Sequence, residues 1–265
     1  MKGVGTVMAG SRILLLILGV LLFHATVCAA SGASPAPPVF IAHAGGGYDG
    51  KTYTNSLEAL EFNYGKGFRF FEIDFSWTSD GELVAIHDWD KSFRRRFGLP
   101  EPVAVPTKSE FLELKSPANL TQLSLEDVLK WTSEKKDAFI VTDVKDENLK
   151  ALKKISEAFR EYRKFVVPQV YSYREYDEAV GMGYEDVILT IYRMKLVPSE
   201  LFYFARKNSP FAITMPWKAA EAGLAYYLNR MNITVYAHTV NDLNHFNSLR
   251  QLGVFGVYTD FIVPP

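Results

Sequence analysis

Cysteine is all but missing: the 265 residues hold one, Cys28. A single thiol can form neither an internal disulfide nor a thiolate zinc cluster. An excess of basic charge is also missing, with 29 Lys and Arg against 30 Asp and Glu and a formal charge of −1. Without it the chain has no electrostatic footprint for a nucleic-acid backbone, and that partner class is excluded. Low apolar content, the mark of a disordered chain, is absent as well, because 48% of the residues are hydrophobic. The length allows one or two domains.

The first 30 residues read as a segment apart from the fold. Lys2 and Arg12 supply charge, Ile13–Leu22 is almost wholly apolar, and Val27-Cys28-Ala29-Ala30 closes with small residues. That order is the signature of a secretory signal peptide, with cleavage expected after Ala29 or Ala30. The chain is therefore expected to be exported, periplasmic or secreted. An uncleaved N-terminal membrane anchor is the alternative, since Ile13–Ala30 is just long enough to span. Residues 31–38 (SGASPAPP) read as a linker. Removing residues 1–30 leaves 235 residues without cysteine. It takes away two cations and no acid, so the charge moves from −1 to −3.

What remains alternates strand and helix. Short apolar or β-branched runs at 39–43, 69–75, 83–86, 138–143, 165–170, 187–191, 211–215, 234–238 and 255–259 read as strands. Helical spacing fills 55–66, 147–159, 173–182, 198–207, 218–231 and 242–252, and Ser124–Asp127 resembles a capping box for one more helix. Such alternation predicts a parallel sheet. A (β/α)8 TIM-like barrel takes about 250 residues, so residues 39–265 are expected to form one barrel. Nine strands are one too many. The turn at Asp80-Gly81 is too short for a parallel crossover, which predicts a hairpin and an irregular barrel near the second and third strands. Residues 91–123 lack clear periodicity and read as an insertion.

Barrel active sites lie at the C-terminal ends of the strands. Those ends carry His43, Glu72, Asp74, His87, Asp88, Asp143, Lys145 and His238. Glu72 and Asp74 stand two apart on one strand and so share a face. Facing a barrel interior they would repel each other without a cation. A salt bridge to Arg69 or Lys145 would answer that need. A divalent metal answers it better, with Asp143 as third ligand, and oxygen donors favour Mg²⁺ or Ca²⁺. Two histidines, His43 and His87, beside such a metal suit phosphodiester chemistry, one taking a proton and one giving it. Gly45-Gly46-Gly47 can bring backbone N–H groups close to an anion.

Taken together, His43-Ala-Gly45, Asn55-Ser-Leu-Glu-Ala59, Glu72-Ile-Asp74, Thr78-Ser-Asp-Gly81, His87-Asp88, Asp143-Val-Lys145, Thr239-Val-Asn241 and Gly253–Asp260 resemble the glycerophosphodiester phosphodiesterases in order and spacing. The resemblance implies a TIM barrel of the phospholipase C-like class, with His43 and His87 as the acid/base pair and Glu72 and Asp74 as metal ligands. It also implies an insertion after the His-Asp motif. Four features depart from it. Ala44 stands where the family has arginine, so another cation must hold the phosphate: Lys145 first, with Lys51 or Arg193 as substitutes. Thr54-Asn55-Ser56 replaces Glu-Asn-Thr, Asp143 replaces a glutamate, and a tryptophan near the last strands is missing where His238 lies.

The expected function is an exported, metal-dependent phosphodiester hydrolase that releases glycerol phosphate and an alcohol. Lys145, Gly45 and His238 are its candidate phosphate- and substrate-binding residues. Asp143 also resembles the ligand set of sphingomyelinase D-type enzymes. A phospholipase acting on lipid headgroups, like these or the phosphatidylinositol phospholipases C, is therefore an alternative that would bring the chain near a membrane. Tyr171, Tyr192, Trp217 and Tyr236 would then line an acyl or polyol site, or else simply pack the barrel. A non-catalytic binding protein on a degenerate barrel is the second alternative. The expected partner is a small molecule and the expected state a monomer.

Overall fold

The computed structural model describes residues 34–101 and 104–265, with residues 1 and 3. The chain divides into a unit of residues 1–33 and a unit of residues 34–265. All but two residues of the expected signal peptide or anchor lie outside the described residues. Among those described, no helix is long and apolar enough to cross a membrane.

Eight parallel strands close into a barrel: β1 (Phe40–Ala42), β2 (Phe70–Trp77), β4 (Phe139–Val144), β5 (Val166–Val170), β6 (Ile188–Thr190), β7 (Ala212–Pro216), β8 (Val235–His238) and β9 (Gly256–Thr259). Closure comes from β1, which pairs with β9 on one side and with β2 on the other. The ninth strand, β3 (Leu83–Ala85), runs antiparallel to β2 and lies outside the ring. This is the irregular (β/α)8 barrel expected from the sequence.

The barrel is filled by a buried apolar layer with one residue from each parallel strand: Ile41, Phe70, Val141, Val167, Ile188, Ala212, Tyr236 and Tyr258. Side chains of a strand alternate between faces. The residues two further on therefore form the next layer toward the strands' C-terminal ends. They are His43, Glu72, Asp143, Gln169, Thr190, Thr214, His238 and Asp260. The apolar plug is thus the floor of a polar layer, and strand parity alone places the chemistry above it.

Outside the ring, helices cover the strands through a larger apolar core. The helix expected over 218–231 is two helices, α8 (Trp217–Glu221) and α9 (Leu224–Asn229). Gly223 between them has φ +95°, a left-handed conformation that ends the first helix. The insertion carries two short helices, α2 (Lys91–Phe97) and α3 (Lys108–Glu113). Phe93, Phe97 and Phe111 pack with Val84 and Ile86 of the hairpin in a small core of their own. This fixes the insertion to the strand that leads into His87.

Candidate active site

His43, Tyr53, Glu72, Asp74, His87, Asp143, Lys145, Tyr192 and His238 line one cavity of about 200 Å³ at the C-terminal end of the barrel. The structure therefore gathers the candidate histidines, the three carboxylates and Lys145. Gly45 is not among the lining residues. Its loop spends its N–H groups internally: Ala44 donates to Glu72 Oε2 at 2.7 Å, Gly46 to the His43 carbonyl at 2.7 Å and Gly47 to the Asp260 carbonyl at 2.7 Å. Lys51 pairs with exposed Asp49 at 2.6 Å, outside this cavity. Arg193 reaches the Lys145 carbonyl at 2.5 Å and lies over the Tyr171 ring. Of the four aromatic candidates only Tyr192 lines the cavity. Tyr171 hydrogen-bonds Asp143, Tyr236 belongs to the apolar floor, and Trp217 packs on His245.

Each catalytic candidate is oriented by a carboxylate. His43 Nδ1 lies 2.9 Å from Asp260 Oδ1, and Asn241 holds the other oxygen of Asp260 at 2.7 Å. His87 Nδ1 lies 2.7 Å from Asp88 Oδ2, while Asp88 Oδ1 accepts from the N–H of Ser92 on α2 at 3.0 Å. Both rings thus keep Nε2 for the cavity. Between them stands Tyr53, edge-on to His43 with ring centroids 4.6 Å apart and to His87 at 5.2 Å. Tyr53, Asn55, Asp260 and Asn241 carry no role in the sequence reading. Asn55 both accepts from the Asp74 N–H and donates to Asp74 Oδ2, each at 3.0 Å. Asn55, Asn241 and Asp260 were signalled only by membership in their motifs and Tyr53 by nothing, because the contacts span up to 217 residues of chain.

The carboxylates sit side by side because β2 and β4 pair in the register Asp74 to Asp143. Oxygens of Glu72, Asp74 and Asp143 lie within 4.8 Å of one another, and all three residues are buried. Glu72 Oε1 has no hydrogen-bond partner among the described residues. Three converging oxygen donors, one of them unsatisfied, fit a hard divalent cation. Lys145 already compensates part of this charge: its Nζ lies 2.8 Å from Asp74 Oδ1 and 3.1 Å from Asp143 Oδ2.

Residues 43–198 match the glycerophosphoryl diester phosphodiesterase family. The chain belongs to that family. No curated protein matches it. Among solved structures it is similar to a glycerophosphodiester phosphodiesterase from Thermotoga maritima (23% identity, 85% of this chain and 96% of that one, TM-score 0.65). It is also similar to an Oleispira antarctica phosphodiesterase solved in complex with the product sn-glycerol-3-phosphate (16% identity, 84% and 93%, TM-score 0.68). A third is a glycerophosphodiester phosphodiesterase from Parabacteroides distasonis (18% identity, 83% and 92%, TM-score 0.63). The expected fold and enzyme class, a phosphoric diester hydrolase, stand with this membership.

In this phosphodiesterase the electrostatics separate the groups. Burial pushes the His43 pKa down, but the hydrogen bond to Asp260 and the charges of Glu72, Asp260 and Asp74 outweigh it and raise it to about 9. Burial and the neighbouring Asp74 raise Glu72 to about 8. Asp74 goes the other way: burial would raise it, yet Lys145, His87 and His43 hold it below the usual carboxylate range. His238 is lowered to about 4 by burial and by the positive charges of His43 and Lys145, and its Nε2 has no partner among the described residues. It offers the cavity a neutral imidazole.

Proposed function

We propose that this enzyme hydrolyses glycerophosphodiesters to glycerol phosphate and an alcohol. The reading rests on one arrangement: two histidines, each tied to a carboxylate through Nδ1, flank a buried three-carboxylate cluster inside a single cavity. The product held by the Oleispira antarctica relative supports the choice of substrate class.

His43 is protonated at neutral pH and is the general acid, giving its Nε2 proton to the departing alkoxide. His87 is the base that takes a proton from the attacking water, with Asp88 holding its ring in place. Lys145 and the neutral His238 orient the phosphoryl oxygens and a substrate hydroxyl. Glu72, Asp74 and Asp143 would hold Mg²⁺ or Ca²⁺, and the chemistry such an ion supplies is neutralisation of charge on the phosphoryl oxygens. Residues 1–30 direct export, and the enzyme acts as a monomer outside the cytoplasm.

The test is release of glycerol phosphate from glycerophosphocholine and glycerophosphoinositol, with Mg²⁺ or Ca²⁺ and with chelator. Turnover that chelator abolishes is expected. Silence on both substrates with either ion defeats the reading. N-terminal sequencing of the exported protein, expected to begin at residue 30 or 31, tests the leader.

A further inference from the structure

A second cavity, of about 380 Å³, opens on the other side of Tyr53, between the 51–54 loop and the insertion. Tyr53 is the wall that both cavities share. Lys51, which also pairs with Asp49 at 2.6 Å, lines the second cavity with Arg95, Arg96, Ser92 and Ser116, and among the described residues no carboxylate lines it. The guanidinium of Arg95 lies over the Tyr53 ring, 5.8 Å from its centroid. Among the described residues it makes neither an ion pair nor a hydrogen bond.

Arg96 is buried deeper. It donates to the Thr54 carbonyl and, at 3.4 Å, to the Thr121 carbonyl, which pins the insertion to the loop before Asn55. Those bonds leave its Nε buried and without a partner among the described residues. A strut alone would not need Arg95 beside it, a cation with no partner of its own among the described residues. Burial lowers the Arg96 pKa to about 10, with Glu58 opposing. A buried cation of this kind gains from an anion brought close to it.

The reaction cavity limits where that anion can come from. Its far side carries Glu72, Asp74 and Asp143, and the side cavity beyond Lys145 adds Glu147 and Glu175 to its own cations. Across Tyr53, by contrast, the lining among the described residues offers cations and no carboxylate, which favours a second negative charge there. We propose that the Lys51–Arg95–Arg96 cavity is a second anion subsite, which takes a phosphate or carboxylate borne by the alcohol half of the substrate. This rests on the phosphodiesterase reading and narrows its substrate class. Anionic phosphodiesters are preferred over cationic ones such as glycerophosphocholine.

Glycerophosphoinositol 4-phosphate and glycerophosphoinositol differ only in that charge. The wild-type kcat/KM is expected to favour the former by about tenfold or more, the scale of one charge-assisted hydrogen bond. Arg95→Glu should lower that ratio at least tenfold, whereas Lys91→Glu, which puts the same charge change elsewhere on α2, should leave it alone. A wild-type ratio near one, or a ratio unmoved by Arg95→Glu, overturns the proposal. Stimulation of glycerophosphoinositol turnover by free inorganic phosphate would mark an effector site and overturn it too. Should neither substrate turn over, the activity reading has failed separately. Calorimetry on the full chain then decides. myo-Inositol 1,4-bisphosphate should bind about tenfold tighter than myo-inositol 1-phosphate, and Arg95→Glu should abolish the difference. Equal affinities refute the subsite.

Discussion

Lys145→Met removes the lysine that ion-pairs with both Asp74 and Asp143 and keeps the side-chain bulk. At separations of 2.8 and 3.1 Å, each contact carries roughly 5–6 kcal/mol of Coulomb attraction at an effective dielectric constant of about 20. Desolvation offsets most of that in the intact pair. Deleting one partner instead leaves the carboxylates buried and uncompensated, at about 3–5 kcal/mol. The Lys145 side chain is 28% exposed, so water can replace part of the lost contact and the lower figure, about 3 kcal/mol, applies. For a domain of this size that corresponds to roughly 6–12 °C in Tm. Urea and thermal unfolding of the full chain in chelator measure it. A second arm adds Ca²⁺ or Mg²⁺: an ion on the triad takes over the neutralising role, so wild type and variant should converge. A loss under about 1 kcal/mol in chelator, or a gap that widens on adding the ion, would refute the account of Lys145 as the internal counter-charge.

His87→Ala should lower kcat by about 10²- to 10⁴-fold with little change in Tm; retained turnover would dismiss His87 as the base. Asp260→Asn removes the anion that raises His43 to about 9, so the alkaline limb of kcat/KM should move to lower pH. Because that folded-state value lies above the ordinary 6.5, His43 contributes its stabilisation fully below pH 6.5 and loses it as the pH rises through about 9. Glu72, raised from 4.5 to about 8, also costs stability as the pH rises through that interval. The difference in urea stability between wild type and Asp260→Asn therefore reports the His43–Asp260 contribution, and an unchanged difference from pH 6.5 to 9 would count against it. Gly46→Ala places a methyl group against Asn63 at φ +87°. Asn63 ties the glycine loop through the Gly45, Gly47 and Ala59 carbonyls. About 1–3 kcal/mol should be lost, and a neutral result in urea unfolding would mean that the loop yields.

The parity of Phe70, Glu72 and Asp74 was readable because a strand's alternation is a local property, and it places the acids above the apolar floor. Helix caps are local too: Thr107 and Glu110 form a capping box, and Phe93 and Phe97 lie one turn apart, signals of α2 and α3 that the reading of 91–123 as an insertion without clear periodicity missed. Contacts made across the chain were not. Nothing near His43 in sequence announces Asp260, and nothing in Asn55 announces that it serves both sides of Asp74. Tyr53 escaped for the same reason, since its position between the histidines exists only once β1 and the hairpin are brought together. Lys145 was read as a phosphate ligand and, in the alternative, as a salt-bridge partner of the strand's acids; it lies within ion-pair distance of Asp74 and Asp143.

The ring closes from β1 to β2 without β3. One proposed proton carrier, His43, is thus borne by the closed ring, and the other, His87, by an appended strand that continues into the insertion. Lengthening or replacing the segment after His87 opens no barrel hydrogen bond. Descendants of such a chain can rewrite the wall beyond Tyr53 while inheriting the acid cluster and its floor intact, so the two are free to evolve at different rates.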